Sequence, residues 1–503
     1  MRTKLYSSTP YPSSLMAADE GCRNLCMGLR IHFPYFIDTG LDPAEPGENN
    51  ERCFSRSQKA DFREYLHQAF SPAMECAFEW LDSGACFTLG VSGLALEQLL
   101  EDDSGKLDLL VEAMKHRRAA VLGQTYYTGV AGLFSRKDEF IFQVTRHADL
   151  VRELTGRRPA VFENTEFEFN SDCAGIIKDL GFSALYSDGH DHILSGMNPN
   201  YLYTCRNLPV LLRNCRLSDD IAHRFPDRNW DQYPLSAGKF AGWIRQTPGD
   251  CIHIFLDADI FSGKGGRDAS SFAEFFCGLP DALSAHEVAS VLPESVLENP
   301  KQGELLLEDL GSWSADPVCA LTGIQNMLQQ SAFWCLEDGE YLVPDKEVWR
   351  RLQSTDHFNR MAIRSGSCGR PGAQYTSSEA YDYFTAYLRC LASGEEACRA
   401  EQRSVLAARA LRCIPPDRAF HCYHSLERYA GYSAHSLKEF SRLLEFIPDE
   451  VFCFHQDRGD FSRWITGVIG DVTLAREIEQ CSRAREAADL VRGRVRELCN
   501  RLK

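Results

Sequence analysis

The feature that most constrains the fold is an alternation between short apolar runs and longer amphipathic stretches, from residue 24 to about residue 262. Short runs rich in β-branched residues are typical of buried strands, and helical patterns between them are typical of β/α units around parallel strands. The candidate strands are 25–33, 86–93, 119–127, 158–166, 182–189, 208–218 and 251–259. The alternation therefore predicts an α/β fold, a closed or incomplete barrel of about 270 residues.

Two of the intervening helices are easy to place. In SDCAGIIKDLG, Ser171 can cap the first turn and Gly181 can end the helix. EFIFQVTRHADLVRELTGRR is amphipathic and should stop at Gly156. From about residue 315 to 412 helical spacing dominates, and Pro415 with Pro416 marks a boundary. We therefore predict an N-terminal tail (1–23), a barrel (24–300), a helical bundle (301–412) and a small, mostly helical C-terminal module (413–503).

The charge balance and the absence of long apolar runs narrow the classes of partner. The 503 residues carry a net charge of -17, which repels nucleic acids and anionic membrane surfaces. No stretch approaches the roughly 18 apolar residues of a membrane span, and the first residues lack the apolar core of a secretory signal. We therefore expect a cytoplasmic protein that binds neither nucleic acid nor membrane, and the sequence does not determine its oligomeric state.

The cysteines do not form a recognisable metal or disulfide pattern. The chain has 20 of them, scattered and without any CxxC pair. In a cytosolic setting disulfides are disfavoured, so we expect free and mostly buried thiols.

Residues just after the ends of parallel strands converge on one mouth of a β/α barrel, so they are the candidates for chemistry. These candidates are His32, Glu166, Asp188, His190, Asp191, His192, Asp219, Asp220, Asp257 and Asp259. Two carboxylates on either side of a glycosidic bond are sufficient for its hydrolysis. The inventory contains several such pairs, and acids at strand ends also cap helices or are simply solvated, so spacing alone does not choose among them.

Several segments, in order along the chain, do make a choice. They are FENTEFEFN, LYSDG, LLRNCRLSDDIAHRF, RNWDQYPL and IFLDADIF, with ALTGIQNMLQQSAF and LQSTDHF in the helical part. Together they resemble the α-amylase-type branch of glycoside hydrolase family 57. The resemblance implies an incomplete (β/α)7 barrel followed by a helical bundle, and a retaining hydrolase or 4-α-glucanotransferase acting on α-1,4-glucans or maltooligosaccharides.

The resemblance also implies roles for particular residues. Glu166, in the TE pair, matches the nucleophile, and Asp257, after the seventh strand, matches the general acid/base. His32 matches the histidine of an HQP motif that contacts the sugar. Glu163 and Glu168 are expected to bond neighbouring groups or to orient Glu166. If Ile254, Phe255 and Leu256 desolvate Asp257, its pKa should rise, as a proton donor requires.

Other residues are predicted to bind substrate because sugars offer both apolar faces and hydroxyl groups. The predicted substrate-binding residues, besides His32, are Tyr126, Asp191, Asp220, Trp230 and His357. Trp230 and Tyr233 lie in the long segment 215–239, which we interpret as a binding loop. Core packing is an equally good reading of each aromatic residue alone, and Asp219 and Asp220 can equally cap a helix beginning near Ile221.

Two rival functions remain open at this stage. Phe33 replaces the glutamine of the family motif, and DADIFSGKGG departs from the usual segment after the catalytic aspartate, so a catalytically impaired, glucan-binding or regulatory protein is an alternative. A metal-dependent, deacetylase-like hydrolase would use His190, Asp191 and His192. None of the 14 histidines lies four residues from another, so we predict no catalytic metal and no cofactor.

Overall fold

Seven parallel strands form a nearly closed barrel, as the alternation predicts. The structure, a computed structural model, describes residues 22–40, 53–55, 57–102, 104–167, 171–189, 194, 196–263, 268–305, 326–340, 343, 346–362, 375–401 and 405–502. The strands are β1 (Asn24–Ile31), β2 (Phe87–Val91), β3 (Ala119–Val121), β4 (Val161–Glu163), β5 (Ala184–Asp188), β6 (Leu202–Cys205), β7 (Leu208–Arg213), β8 (Ile252–Asp257), β9 (Ala289–Ser290), β10 (Lys301–Glu304), β11 (Phe420–Ser425) and β12 (Arg428–Ala434).

The barrel follows from the order of strand pairing. β7, β8, β1, β2 and β3 are consecutive neighbours, and β5 pairs with both β4 and β7. An isolated parallel bridge between Gly123 and Phe162 joins the end of β3 to β4. The predicted fold class is therefore confirmed, and each of the seven predicted strands overlaps one barrel strand. Outside the barrel, β6 runs antiparallel to β7, β10 pairs with β6, and β9 pairs with β1.

Helices cover the barrel and make up most of the remaining chain. They are α1 (Gln58–Tyr65), α2 (Ser71–Asp82), α3 (Gly93–Leu100), α4 (Lys106–Lys115), α5 (Asp138–Thr155), α6 (Ser171–Asp179), α7 (Cys215–Asp219), α8 (Ala237–Gln246), α9 (Ala269–Cys277), α10 (Leu279–Ala285), α11 (Met327–Asp338), α12 (Lys346–Arg351), α13 (Thr355–Arg360), α14 (Ser377–Glu401), α15 (Val405–Leu411), α16 (Leu437–Leu443), α17 (Asp449–Asp457), α18 (Asp460–Trp464), α19 (Val472–Ile478) and α20 (Ala484–Leu502). Among the described residues, no helix has the combination of length and apolarity that crossing a bilayer would need.

Local chemistry sets several helix ends, one of them at the residue that the sequence analysis predicts. α5 stops at Gly156, which adopts a left-handed conformation with φ of 76°, as a glycine can without steric cost. The Ser436 side chain accepts a hydrogen bond from the Glu439 amide and so caps α16. α7 differs from the prediction, because it begins at Cys215 with Asn214 as its cap, ahead of Asp219 and Asp220.

Strand alternation divides the side chains of the barrel into two sets. In β1, Leu25, Met27, Leu29 and Ile31 pack in the layer between the strands and the helices outside them. Cys26 lies on the opposite face, in a second cluster with Phe255 of β8 and Tyr186 of β5. Because side chains alternate along a strand, Gly28 and Arg30 share the interior face with Cys26. The interior of the barrel therefore contains a thiol, aromatic rings, a glycine and a charged side chain.

The part after the barrel has a core of its own near the C-terminus. This core joins residues from Ala407 to Leu498. It is not wholly helical, because β11 and β12 form an antiparallel hairpin that the sequence analysis missed. The predicted domain bounds stay predictions. The cysteines of the described residues are free thiols, and most of them are buried, as expected.

Candidate active site

The C-terminal ends of β1 and β8 bring charged side chains into the mouth of the barrel. The two strands pair in parallel, and Arg30 is in register with Asp257. Because register partners on neighbouring strands project to the same face, both side chains belong to the interior set. One step below them Gly28 faces Phe255, and a Cβ atom on Gly28 would lie 2.0 Å from the Phe255 ring. Glycine at this position therefore lets the ring cross the barrel beneath the charged residues.

Glu166 and Asp257, the two predicted catalytic acids, contact the same guanidinium group. Arg30 Nε donates a hydrogen bond of 2.6 Å to Asp257 Oδ1. Arg30 NH2 lies 3.5 Å from Glu166 Oε2. Strand ends that are far apart in sequence thus place two carboxylates around one cation.

Arg30 is the functional residue that sequence reasoning missed. Burial alone would lower its pKa, but Asp257, Glu166 and Glu163 raise it well above its ordinary value, so the guanidinium stays charged. The available signal was a lone charged residue on the inward face of an otherwise apolar strand, in LCMGLRI. Such a residue is buried only when it is paired.

Glu166 has an unusual backbone conformation. It lies in a short 3-10 turn (Thr165–Phe167) with φ of 55° and ψ of 25°, the left-handed region that residues with a Cβ atom seldom adopt. Such a conformation costs on the order of 1–3 kcal/mol and persists where the surroundings impose it, commonly at functional sites. Here the Thr355 hydroxyl, at the start of α13, donates to Glu166 Oε1 at 3.2 Å. The helical part of the chain therefore helps to hold the acid in place.

Glu163, the first of the three glutamates in FENTEFEF, is a buried neighbour of Arg30. Its side chain is only 1% exposed and lies 3.8 Å from Arg30 NH1. Gln124 Nε2 donates a hydrogen bond of 2.6 Å to Glu163 Oε2. Burial raises the pKa of Glu163 to about 7, although Arg30 and Gln124 oppose the rise. A Cβ atom on Gly90 would lie 2.7 Å from this carboxylate, so glycine makes room for it. Glu168 lies outside the described residues.

Asp257 is open to solvent, and this corrects the expectation that apolar neighbours desolvate it. Its side chain is 59% exposed. Ile254 and Leu256 project outward into the layer beneath the helices, and only Phe255 shares the interior face. Alternation along the strand is the reason, because residues next to each other in sequence point to opposite faces.

His32, two residues after Arg30, has three polar partners, one of which is the Thr128 hydroxyl at 3.4 Å from its Nδ1. Its Nδ1 is 2.8 Å from the Ser92 hydroxyl, and its Nε2 is 2.8 Å from Asp356 Oδ2. Burial raises the pKa of Asp356, but His32 and Ser354 lower it more strongly, so that it stays well below its usual range. The imidazole is thus held in one orientation, and 14% of its side chain is exposed.

Comparison with known proteins gives the same assignment as the sequence motifs. The sequence model of glycosyl hydrolase family 57 matches residues 31–306. A putative alpha-amylase of Methanocaldococcus jannaschii is 32% identical over 344 residues, which are 67% of this chain and 73% of that protein. The chain belongs to glycosyl hydrolase family 57. It is therefore assigned to the enzymes that cleave or transfer glycosidic bonds.

A solved structure supports the fold of this family 57 chain. The crystal structure of 4-alpha-glucanotransferase from Thermococcus litoralis is similar with a TM-score of 0.55 and 14% sequence identity. The similarity covers 76% of this chain and 60% of that one, so the chain spans less than two thirds of its length. At this identity the similarity concerns the fold alone.

Two residues of the predicted substrate-binding set are part of the core of this family 57 chain. His357 is fully buried, with its Nδ1 at 2.7 Å from the Tyr383 hydroxyl and its Nε2 at 3.0 Å from the Arg351 carbonyl. Burial lowers the pKa of His357 to about 4. Tyr126 is also buried, with the Arg146 guanidinium 4.0 Å above its ring. Their burial does not favour the prediction that these two side chains contact substrate, which stays a prediction, and the residue beside His357 that reaches the site is Asp356.

Asp220 is likewise paired within the protein. It is buried and forms a salt bridge with Arg224. Burial raises the pKa of Asp220 even though Arg224 opposes the rise. Asp188 is similar, because Arg213 contacts both of its carboxylate oxygens, at 2.5 and 3.4 Å. These strand-end acids therefore stabilise the rim of the barrel, and the prediction that Asp220 binds substrate is not supported by its position.

The roles predicted for Trp230 and Asp191 stay predictions. Trp230 is half-buried and packs edge-on against Trp243, with ring centroids 5.9 Å apart. Its role as a sugar platform stays a prediction. Asp191, with its neighbours His190 and His192, lies outside the described residues. Phe33 packs among Phe36, Phe62 and Tyr65, at ring distances of 5.0 to 5.6 Å.

Proposed function

We propose that this chain is a retaining glycoside hydrolase or 4-α-glucanotransferase acting on α-1,4-glucans or maltooligosaccharides. The observation that carries the proposal is the convergence of Glu166 and Asp257 on Arg30 at the mouth of the barrel. The names of the relative, a putative alpha-amylase, and of the structural neighbour, a 4-alpha-glucanotransferase, support the substrate class.

In the proposed reaction the two acids have different tasks. The Glu166 carboxylate attacks the anomeric carbon while Asp257 donates a proton to the departing glycosidic oxygen, and the carbon–oxygen bond breaks. The sugar is left as an ester of Glu166. Water, or a hydroxyl group of a second glucan, then attacks the same carbon and gives its proton to Asp257, while the bond from that carbon to Glu166 breaks and frees the carboxylate. Water completes hydrolysis, and the glucan hydroxyl completes transfer.

Arg30 contacts both acids of this scheme, and its contact with Asp257 has to change when substrate binds. Arg30 NH2 lies 3.5 Å from Glu166 Oε2, where it can hold the attacking carboxylate in position. The hydrogen bond from Arg30 Nε occupies Asp257 Oδ1, whereas a proton donor must face the glycosidic oxygen. We infer that the glycosidic oxygen takes the place of Arg30 Nε beside Asp257 when substrate binds. The exposure of Asp257 permits this exchange.

The substrate contacts in the proposal follow from position. His32 is fixed by Ser92 and Asp356 and is partly exposed, two residues after Arg30, so it is the residue we assign to a sugar hydroxyl. Trp230 and Asp191 keep their predicted roles in binding the glucan beyond the reacting sugar.

A second candidate function is a glucan-binding or regulatory protein without turnover. The observation in its favour is again Arg30, because its guanidinium is paired with both acids and fills space between them. Phe33, packed among other aromatic rings, also cannot offer the hydrogen bonds of the glutamine that it replaces.

Incubation with soluble starch and maltooligosaccharides, followed by separation of products by size, tests both candidates. The enzyme should form products, and Glu166→Gln or Asp257→Asn should abolish them. Glu153→Gln makes the first of these changes at an exposed position of α5 and should leave activity unchanged. If all products are shorter than the substrate, the reaction is hydrolysis. If products longer than the substrate also form, glucan segments are transferred. Binding of the oligosaccharide without products would support the second candidate.

The stereochemistry of the first products tests the mechanism separately. A retaining enzyme releases the α-anomer, which NMR can detect before mutarotation. Initial release of the β-anomer would contradict the assignment of Glu166 as nucleophile.

A further inference from the structure

A second polar cluster lies inside the barrel, at the opposite end from the acids. It consists of Cys26, Cys251 and His253, and all three residues are buried. Cys26 and His253 are register partners on β1 and β8. The two sulfur atoms are 3.7 Å apart, and one ligand atom from each residue lies within 4.8 Å of the others. Within the described residues this is the one place where three such ligand atoms converge.

Apolar side chains surround much of the cluster, and a tyrosine hydroxyl contacts it. Leu122, Val161, Ala184 and Leu211 belong to the same buried layer. The Tyr186 hydroxyl lies 2.8 Å from His253 Nδ1. Polar side chains in such an environment are costly unless each has a partner, and two thiols are weak partners for each other.

The cluster is separated from the candidate active site. Arg30 follows Cys26 by four positions along β1, which corresponds to about 13 Å along a strand. The Phe255 ring crosses the barrel between the two levels, in the space that Gly28 leaves open. A ligand of the cluster would therefore touch neither acid, and its role would be structural.

We propose that Cys26, Cys251 and His253 form a zinc site that joins β1 to β8 at the base of the barrel. Two thiolates bound to zinc at about 2.3 Å in tetrahedral geometry are about 3.8 Å apart, and the sulfur separation here is 3.7 Å. Zinc binding releases the two thiol protons to solvent, so the ion and the two thiolates together are neutral.

Tyr186 completes the argument as a positioning residue. A histidine that binds a metal through one ring nitrogen usually donates a hydrogen bond from the other, and this fixes the orientation of the ring. The contact of the Tyr186 hydroxyl with His253 Nδ1 has this form. Removing such a partner typically weakens metal binding by about 10- to 100-fold.

Metal analysis of the full-length chain, expressed without a polyhistidine tag in zinc-supplemented medium, tests the proposal. We expect about one zinc per chain after gel filtration, and a large loss of zinc in Cys26→Ser/Cys251→Ser. Cys76→Ser/Cys277→Ser is the matched control, because these sulfur atoms are also in contact, at 3.0 Å, but belong to no such ligand group among the described residues. The control should keep its zinc.

X-ray absorption at the zinc edge of the unmodified chain gives an answer even if the double variant does not fold. We expect two sulfur scatterers at about 2.3 Å and nitrogen or oxygen at about 2.0–2.1 Å. Less than about one zinc per ten chains, an equal zinc content in the Cys26/Cys251 variant, or a shell without sulfur would overturn the proposal. The cluster would then be a neutral hydrogen-bonded network.

Discussion

Glu163 is a buried acid whose ionisation opposes folding, and its effect can be calculated. The carboxylate is 1% exposed, and burial raises its pKa from an ordinary 4.5 to about 7 even with Arg30 and Gln124 beside it. The folded protein therefore holds this proton more tightly than the unfolded chain does. The contribution of Glu163 to the free energy of unfolding is therefore most favourable below pH 4.5 and declines as the pH rises toward 7. Because each pKa unit corresponds to about 1.4 kcal/mol, the loss amounts to roughly 3 kcal/mol.

Glu163→Gln isolates this contribution, since glutamine has nearly the same shape and stays neutral. We expect the difference in free energy of unfolding between the variant and the wild type to shift by roughly 3 kcal/mol in favour of the variant between pH 4.5 and pH 7. Urea unfolding at several pH values, followed by tryptophan fluorescence, measures this shift. Glu153→Gln, at an exposed position, should show no such trend. A difference that stays constant across this pH range would refute the reasoning.

Three further predictions concern the residues that build the site. Arg30→Met should lower kcat/KM, because Glu166 and Asp257 lose the side chain that contacts both of them; a kcat/KM equal to that of the wild type would contradict this. Thr355→Val should lower kcat by about ten- to a hundredfold with little change in KM, because a hydrogen bond to a charged group contributes about 1.5–3 kcal/mol. Thr355→Ser keeps the hydroxyl and should retain most of the activity. Equal losses in the valine and serine variants would refute the role of the Thr355 hydroxyl in positioning Glu166. Gly28→Ala should destabilise the fold by about 1–3 kcal/mol or more because of its contact with Phe255. Phe255→Leu in the same chain should recover part of the lost melting temperature, and an unaltered melting temperature in Gly28→Ala would contradict the close approach.

The sequence by itself determined the repeating architecture. Seven strands, the end of α5 at Gly156 and the capping of α16 by Ser436 depend on residues that are neighbours along the chain. Periodicity and capping act over a few residues, so they can be read without coordinates. The ordered motifs also identified the family and picked out Glu166 and Asp257 among the strand-end acids.

Only the tertiary structure decided which side chains meet. The sequence indicates that Arg30 needs a partner, but it does not show that both acids contact it. β1 and β8 are far apart along the chain and become neighbours only when the strands pair. His357 and Tyr126 belong to plausible motifs, yet packing against helices far along the chain buries them. Burial and electrostatics depend on contacts between distant segments, whereas local pattern depends on the chain itself. The fold could therefore be predicted from the sequence, but the arrangement of charge at the site could not.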